Sequence, residues 1–411
     1  MKTKSITITR CQISKKKDLK KILSLGYLPP VNDYQLINSR KQEEVFFPAE
    51  LMMSKSSNLV QLGTVVNKEI IFPKSYPYTS STTKILRDNF KELYSETIKI
   101  INLKKDDLVI DIGSNDGNLL SNFKKNHKVL GITPETIGKL AIKKGIQTLI
   151  RYFDSKTAAI VLKKFGKAKV ITATNVFAHI DNIDAVMKNL IKILDKDGVF
   201  ISESHYLVSL IQTVQYDTIY HEHMRYYSLT SLAYLFKKYN LRIFHAKKIP
   251  THGGSIRVYV TKNKKFKINK NVKKILNFEK KFLNSKNLEK FKKEVVNSKI
   301  NLYSVLKSIK AKNKKIYGVG APSRAATLVN YVGLNEDILD CILEIKGSYK
   351  IGKYMPGTNI PILDENYLKN NKPDYLLILS WHIYKSLVKN LRKKGFKGKF
   401  IIPLPKPRII N

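Results

Sequence analysis

The sequence predicts an α/β protein: one parallel-sheet domain, a second α/β domain after it, and a small module in front. Two observations carry this. Between residues 108 and 203 short apolar runs alternate with amphipathic stretches, strand then helix, which is the pattern of a parallel sheet. After a lysine-rich helical stretch the same alternation restarts at residue 315. Size agrees, since 411 residues with 43% hydrophobic and 10% aromatic content suffice for two or three cores.

Taken in order, residues 1–75 read as a small irregular module, because Gly26, Pro29, Pro30, Pro48 and Pro73 interrupt every pattern. The stretch 84–103 carries a helical stripe of Ile85, Leu86, Phe90, Leu93, Ile98 and Ile101. Strands are then predicted at 108–112, 128–132, 170–173, 198–203 and 256–260, and helices at 118–125, 136–144 and 183–194. Residues 262–312 predict one or two bridging helices anchored by Ile275, Phe278, Phe282 and Phe291, their lysines forming a solvated face. Further strands follow at 315–319, 338–344, 375–380 and 400–403. The expected domains are 1–75, 76–262 and 263–411.

The formal net charge is +43, from 65 Lys and 10 Arg spread along the chain. Specific nucleic-acid readers need Arg at base edges and a recognisable module. Neither is evident, so no nucleic-acid partner is expected, and the charge reads as a basic surface suited to anionic substrates. No run of about eighteen uncharged apolar residues occurs, and MKTKSITITR lacks an apolar segment for a secretory signal; no membrane partner is expected. Two distant cysteines, Cys11 and Cys341, exclude a disulfide framework and make a reducing cytoplasm the expected location.

The most informative local motif is Val109-Ile110-Asp111-Ile112-Gly113-Ser114-Asn115-Asp116-Gly117. A strand ends in an acid, then Gly-x-x-x-Gly opens a helix, so a ligand can approach the backbone and meet a helix N-terminus. A tight turn without ligand is the alternative. The pattern resembles motif I of class I S-adenosylmethionine (SAM) methyltransferases. That implies SAM as cofactor, with Asp111, Gly113, Asn115, Asp116 and Gly117 around it. Thr133 ends the next strand, where an acid is expected to hold ribose hydroxyls, and Glu135 follows two residues on.

Five of the eight histidines fall between His205 and His252, centred on Asp217-Thr218-Ile219-Tyr220-His221-Glu222-His223. This spacing is no helical HExxH, and no third metal ligand is obvious. A structural cluster and acid–base chemistry, with a histidine oriented by a carboxylate and a tyrosine, both remain open.

That segment, with Asn175-Val176-Phe177-Ala178-His179-Ile180 and His252-Gly253-Gly254-Ser255-Ile256-Arg257-Val258, resembles the nucleotide-sugar C-methyltransferases, SAM enzymes that methylate C3 of 4-keto-deoxysugars. Gly318-Val319-Gly320-Ala321-Pro322-Ser323-Arg324, Pro356-Gly357-Thr358, Pro373-Asp374-Tyr375 and Phe400-Ile401-Ile402-Pro403-Leu404-Pro405 resemble the family's C-terminal domain. The implied fold is a class I SAM methyltransferase Rossmann-like domain, a second Rossmann-like domain and a small N-terminal module. The resemblance makes His223 the base, supported by Tyr220 and Glu222, with Tyr78 closing over the substrate; an ordinary loop aromatic is the alternative for Tyr78. It places Asn175, Phe177 and His179 beside the cofactor, with packing after the fourth strand as the alternative. Glu203, ending the next strand, points toward the same cleft. His252, Gly253, Ser255 and Arg257 are expected beside the substrate. Ser323 and Arg324 are expected to grip the nucleotide-sugar, Arg324 standing where the family has Lys.

The family's module holds zinc on two Cys-x-x-Cys pairs. The matching positions here are Cys11, Ser14, Ser54 and Ser57, and serine hydroxyl is a poor zinc ligand. No zinc is expected, and Leu25, Leu51, Leu59 and Leu62 are expected to hold the module. The implied reaction is SAM-dependent methylation at C3 of a nucleotide-linked 4-keto-deoxysugar through an enolate. The alternatives are a non-catalytic sugar-nucleotide binder, a SAM methyltransferase acting on another small anionic metabolite and, from charge alone, a nucleic-acid methyltransferase.

Overall fold

The run Leu108–Ile112 is buried at all five positions, as a central parallel strand must be. In the computed structural model, which describes residues 3–39, 43–72 and 83–411, it pairs in parallel with Lys128–Thr133 and Ala168–Thr174. The whole sheet runs Arg242–Ile249, Ser255–Thr261, Leu194–His205, Ala168–Thr174, Leu108–Ile112, Lys128–Thr133, Thr148–Ile150. Numbered along the chain, its strands lie 6-7-5-4-1-2-3. Strand 7 alone is antiparallel to its neighbours. Strands 1 and 4 are parallel, and the strand order reverses between them, which puts the ligand crevice beyond their carboxyl ends.

The second sheet repeats the idea. Ile316–Val319 is flanked in parallel by Cys341–Glu344 and Tyr375–Ile378, then by Pro361–Asp364 and Lys399–Ile402. Short antiparallel strands Lys353–Tyr354 and Arg408–Ile410 close its edges. The lysine-rich bridge is two helices, Lys270–Phe282 and Ser285–Lys310, each begun by an asparagine whose side chain accepts a backbone N–H of the first turn.

The N-terminal module is not irregular. Leu19–Leu28 and Phe47–Ser54 form a long antiparallel pair, and Val60–Leu62 adds a third strand. Its pairing shifts register between Ser24 and Tyr27, where Gly26 takes φ +76°. Gly26 therefore marks a bulge, and Pro29, Pro30 and Pro48 mark strand ends, while Pro73 lies outside the described residues. The fourth strand is Arg225–Tyr226, which comes from the methyltransferase domain. Leu23, Leu25, Leu28, Leu51 and Leu62 share one core with Ala325, Leu328 and Val329 of the C-terminal domain. Among the described residues, no helix is long and apolar enough to cross a membrane.

Candidate active site

The first glycine turn is left-handed at three places: Gly113 at φ +78°, Asn115 at +51° and Gly117 at +77°. A Cβ on Gly113 would fall 2.4 Å from Cγ2 of Val176, so this glycine also lets the turn close against the segment after strand 4. Gly117 is held as closely, 2.7 Å from Ile146. Asp111 is buried and accepts from the Thr172 hydroxyl at 2.6 Å; burial, with Glu203 adding to it, raises its pKa to about 7. Asp116 is also buried and receives Lys144 at 3.1 Å, fixing the turn to the end of the helix Gly138–Lys143 that follows strand 2. Thr133 donates its hydroxyl to Glu135 at 3.0 Å, so the strand end that lacks an acid presents one after all.

Among the described residues, Ser114 Oγ, Asn118 Nδ2, Asn175 Oδ1 and His179 Nδ1 are buried without hydrogen-bond partners. They follow strands 1 and 4, on both sides of the crevice. Buried polar groups left unpaired are costly, and a polar ligand lying there would satisfy them. The residues present thus fit SAM.

Four imidazoles line up beside this crevice. Ring centroids are 5.0 Å apart for His179–His223, 5.1 Å for His223–His205 and 5.3 Å for His205–His252. His223 Nδ1 lies 2.9 Å from the Thr218 carbonyl, which can only accept. Nδ1 therefore carries the hydrogen and Nε2 keeps a lone pair. The Tyr220 hydroxyl donates to Nε2 at 3.1 Å. Burial, reinforced by His179, holds the His223 pKa well below the usual imidazole value. Burial likewise takes His179 and His252 down to about 4, and pushes the Tyr220 hydroxyl well above its usual value. At neutral pH the site holds neutral imidazoles and a protonated phenol. Among the described residues no group of three His, Cys, Asp or Glu side chains converges on a metal position.

The N-terminal module holds this loop. The strand Val60–Leu62 pairs with Arg225–Tyr226 just after His223. His221 donates to the Pro48 carbonyl at 3.2 Å, and Asn32 donates to Glu222 at 2.5 Å. Ser323 reaches the same Asn32 at 3.3 Å, so all three domains meet there. Arg225 donates to the carbonyls of Phe177, Ile180 and Asp181, binding the His179 segment to the His223 loop.

Other expected site residues serve the frame. Phe177 turns away from the crevice and stacks on Phe200 in the core, 5.3 Å between centroids. Arg257 and Glu203 are paired at 2.6 Å with both side chains wholly buried. The other Arg257 donors go to Glu92, Glu96 and Asn89, so all five N–H groups are matched and none remains for a substrate. Gly253 lets its turn approach Gln215, and Ser255 closes that turn by donating to the Thr251 carbonyl. His252 contacts Asn175 at 3.4 Å, joining the turn to the crevice. Arg324 forms a two-pronged pair with Asp217, both bonds 2.7 Å, under the Trp381 ring. Tyr78 lies outside the described residues.

Sequence reasoning did not single out His205, Asp217, Gln215, Asn32 or Trp381 as site residues. His205 was findable, since it ends strand 5 at the crevice; the others are brought in by contacts between domains.

Strand order and the turn after strand 1 define a class I SAM-dependent methyltransferase. Comparisons with known proteins narrow this. A methyltransferase-domain family model matches residues 84–246, a model described as "C-methyltransferase C-terminal domain" matches 250–405, and one described as "Putative zinc binding domain" matches 11–72. C-methyltransferase NovU of Streptomyces niveus is 28% identical over 413 residues, covering 98% of this chain and 97% of its own. Together these matches support a SAM-dependent C-methyltransferase. Among solved structures, an S-adenosylmethionine-dependent methyltransferase from Clostridium acetobutylicum overlaps 44% of this chain and 93% of its own at 16% identity and a TM-score of 0.34. Magnesium protoporphyrin IX methyltransferase from Synechocystis, with bound SAM, overlaps 43% and 79% at 13% identity and a TM-score of 0.33.

Proposed function

We propose that this C-methyltransferase acts on C3 of a nucleotide-linked 4-keto-deoxysugar through an enolate, with His223 as the base. The observation that carries this reading is the buried His223–Tyr220 pair, whose hydrogen bonding leaves one imidazole lone pair facing a phenol. A proton beside a ketone is acidified by the carbonyl. His223 Nε2 takes that proton once Tyr220 yields its place, and the C3–H electron pair moves into the enolate. Among the described residues Arg324 Nη1 makes no hydrogen bond, while Nε and Nη2 are held by Asp217. Its positive charge, near enough to depress His223, His205 and His252, stabilises the enolate oxygen. SAM, when bound, supplies an electrophilic methyl group for C3 to attack. Asp111, Asn115, Asn175 and His179 line its crevice, and Glu135, two residues past the strand end where the ribose acid is expected, offers a carboxylate bonded to Thr133. The Gly320–Arg324 turn, opposite the His223 loop, takes the nucleotide-sugar.

The test is His223→Ala, assayed with SAM and a nucleoside-diphosphate 4-keto-deoxysugar. Turnover is expected to fall about 10²–10⁴-fold, and exchange of the C3 hydrogen with deuterated water to stop. SAM binding measured by calorimetry should be unchanged. Normal turnover in the variant removes His223 as base. Absence of methyl transfer to such sugars by wild-type protein that binds SAM overturns the substrate.

A further inference from the structure

The module matched by the zinc-binding family description contains two turns of the same build. In one, Cys11 Sγ accepts the Ser14 N–H at 3.4 Å, and Lys15 N–H reaches the Cys11 carbonyl at 2.9 Å. In the other, Ser54 Oγ accepts the Ser57 N–H at 3.4 Å, and Asn58 N–H reaches the Ser54 carbonyl at 3.0 Å. Both turns exit through a left-handed residue, Lys15 at φ +66° and Asn58 at +53°. The turns face each other: Cys11 Sγ lies 3.2 Å from Ser57 Oγ, and Ser56 Oγ donates to Ser14 Oγ at 3.1 Å. Four side chains thus converge from two matching turns, as a tetrahedral metal would require, yet three of them are hydroxyls. One thiol with three serines is not a zinc donor set.

We infer that this module is stapled by hydrogen bonds in place of a metal, with Asp18 as the keystone. Asp18 stands outside the Cys-x-x-Cys spacing. Its carboxylate accepts the Ser54 hydroxyl at 2.9 Å through Oδ1 and the Ser56 N–H at 2.7 Å through Oδ2. One anion thereby gathers the second turn from the strand entry beside the first. Burial opposes its charge, but the bonds from Ser56 and Ser54 outweigh it and lower its pKa. The module can dispense with metal because it is not free-standing: Leu23, Leu25 and Leu51 are packed into the C-terminal domain's core, and Cys11, Ile13 and Leu59 into the methyltransferase core.

Purified full-length protein is expected to contain no stoichiometric zinc by elemental analysis, and its melting temperature should not move with a chelator or with added zinc. One zinc per chain, or a chelator-induced drop in melting, overturns the inference. Asp18→Ala should lower the melting temperature. The variant Ser14→Cys/Ser54→Cys/Ser57→Cys should take up one cobalt with a thiolate charge-transfer band and become chelator-sensitive. Folded triple variant that binds no metal overturns the convergence of the four positions. These readouts are independent of catalytic activity, so they stand apart from the proposed reaction.

Discussion

Two buried arginines, Arg257 and Arg324, resemble each other in sequence terms and differ in what surrounds them. Arg257 lies inside one domain, and its five donors are spent on Glu203, Glu92, Glu96 and Asn89. It ties the helix Lys84–Ile100 to strands 5 and 7. Arg324 crosses between domains, spends its fork on Asp217 and, among the described residues, makes no hydrogen bond through Nη1. A saturated guanidinium is a structural clamp. One with a nitrogen to spare, in a crevice, can still meet a ligand.

Substitutions at the two sites should therefore fail differently. The largest effect is expected from Arg257→Met, which strands three carboxylates, one of them fully buried; a loss of about 3–5 kcal/mol of stability is expected by denaturant titration. Arg257→Lys should not rescue it, because one ammonium cannot replace a five-donor fork. Stable Arg257→Lys protein would erase the distinction. Next, Arg324→Met should lower kcat/KM by roughly 10²-fold, about 2.7 kcal/mol. Arg324→Lys should recover most of it, since the charge is retained. If Arg324→Lys is as inactive as the Met variant, geometry rather than charge is what the site needs.

The smallest effect concerns pH. Around Arg324, burial lowers the pKa of His179, His205, His223, His252 and His382. Unfolded histidines take up protons as pH falls through about 6.5, while His179 and His252 do not until about 4 and His382 until about 3, with His205 and His223 displaced in the same direction, so stability drains as pH falls below about 6.5. Each contributes up to about 1.4 kcal/mol per pH unit. Asp111, raised to about 7, works in the opposite sense, favouring the fold as pH falls from 7 toward its unfolded value. Glu96 is different: burial opposes its charge, but bonds from His245, Tyr259 and Arg257 hold it at about 2, so its arm of the Arg257 clamp stays charged across this range, whereas burial raises Glu203. The melting temperature should fall modestly between pH 7 and 5. A rise would mean that the buried carboxyls outweigh the imidazoles.

Much of this was legible from residue order. Strand 1, its glycine turn and the Tyr220/His223 pair are local patterns, and the structure keeps Tyr220 and His223 in contact three residues apart. The partners of Arg257 and Arg324 were not legible, because they lie far off in the chain: Glu203 is 54 residues from Arg257, Glu92, Glu96 and Asn89 are 161 to 168 away, and Asp217 is 107 from Arg324. Phe177 reads alike whether it lines a cofactor crevice or a core; only the positions of Phe200 and Phe236 decide. The helix Ser155–Phe165 was missed although Asp154 caps it, since its buried stripe is only Thr157, Ala158 and Val161. The N-terminal strands escaped notice because their pairing is nonlocal and bulged.

The strand Arg225–Tyr226 completes a sheet whose other members end at Leu62. During synthesis that sheet leaves the ribosome with one edge bare. Its cover arrives only after about 160 further residues, roughly 8–30 s later at ordinary elongation rates. An open β edge invites pairing with other chains, so a nascent chain halted within the methyltransferase domain is the form of this protein most exposed to aggregation. Grafting the catalytic domain onto a foreign leader would leave the same seam unclosed.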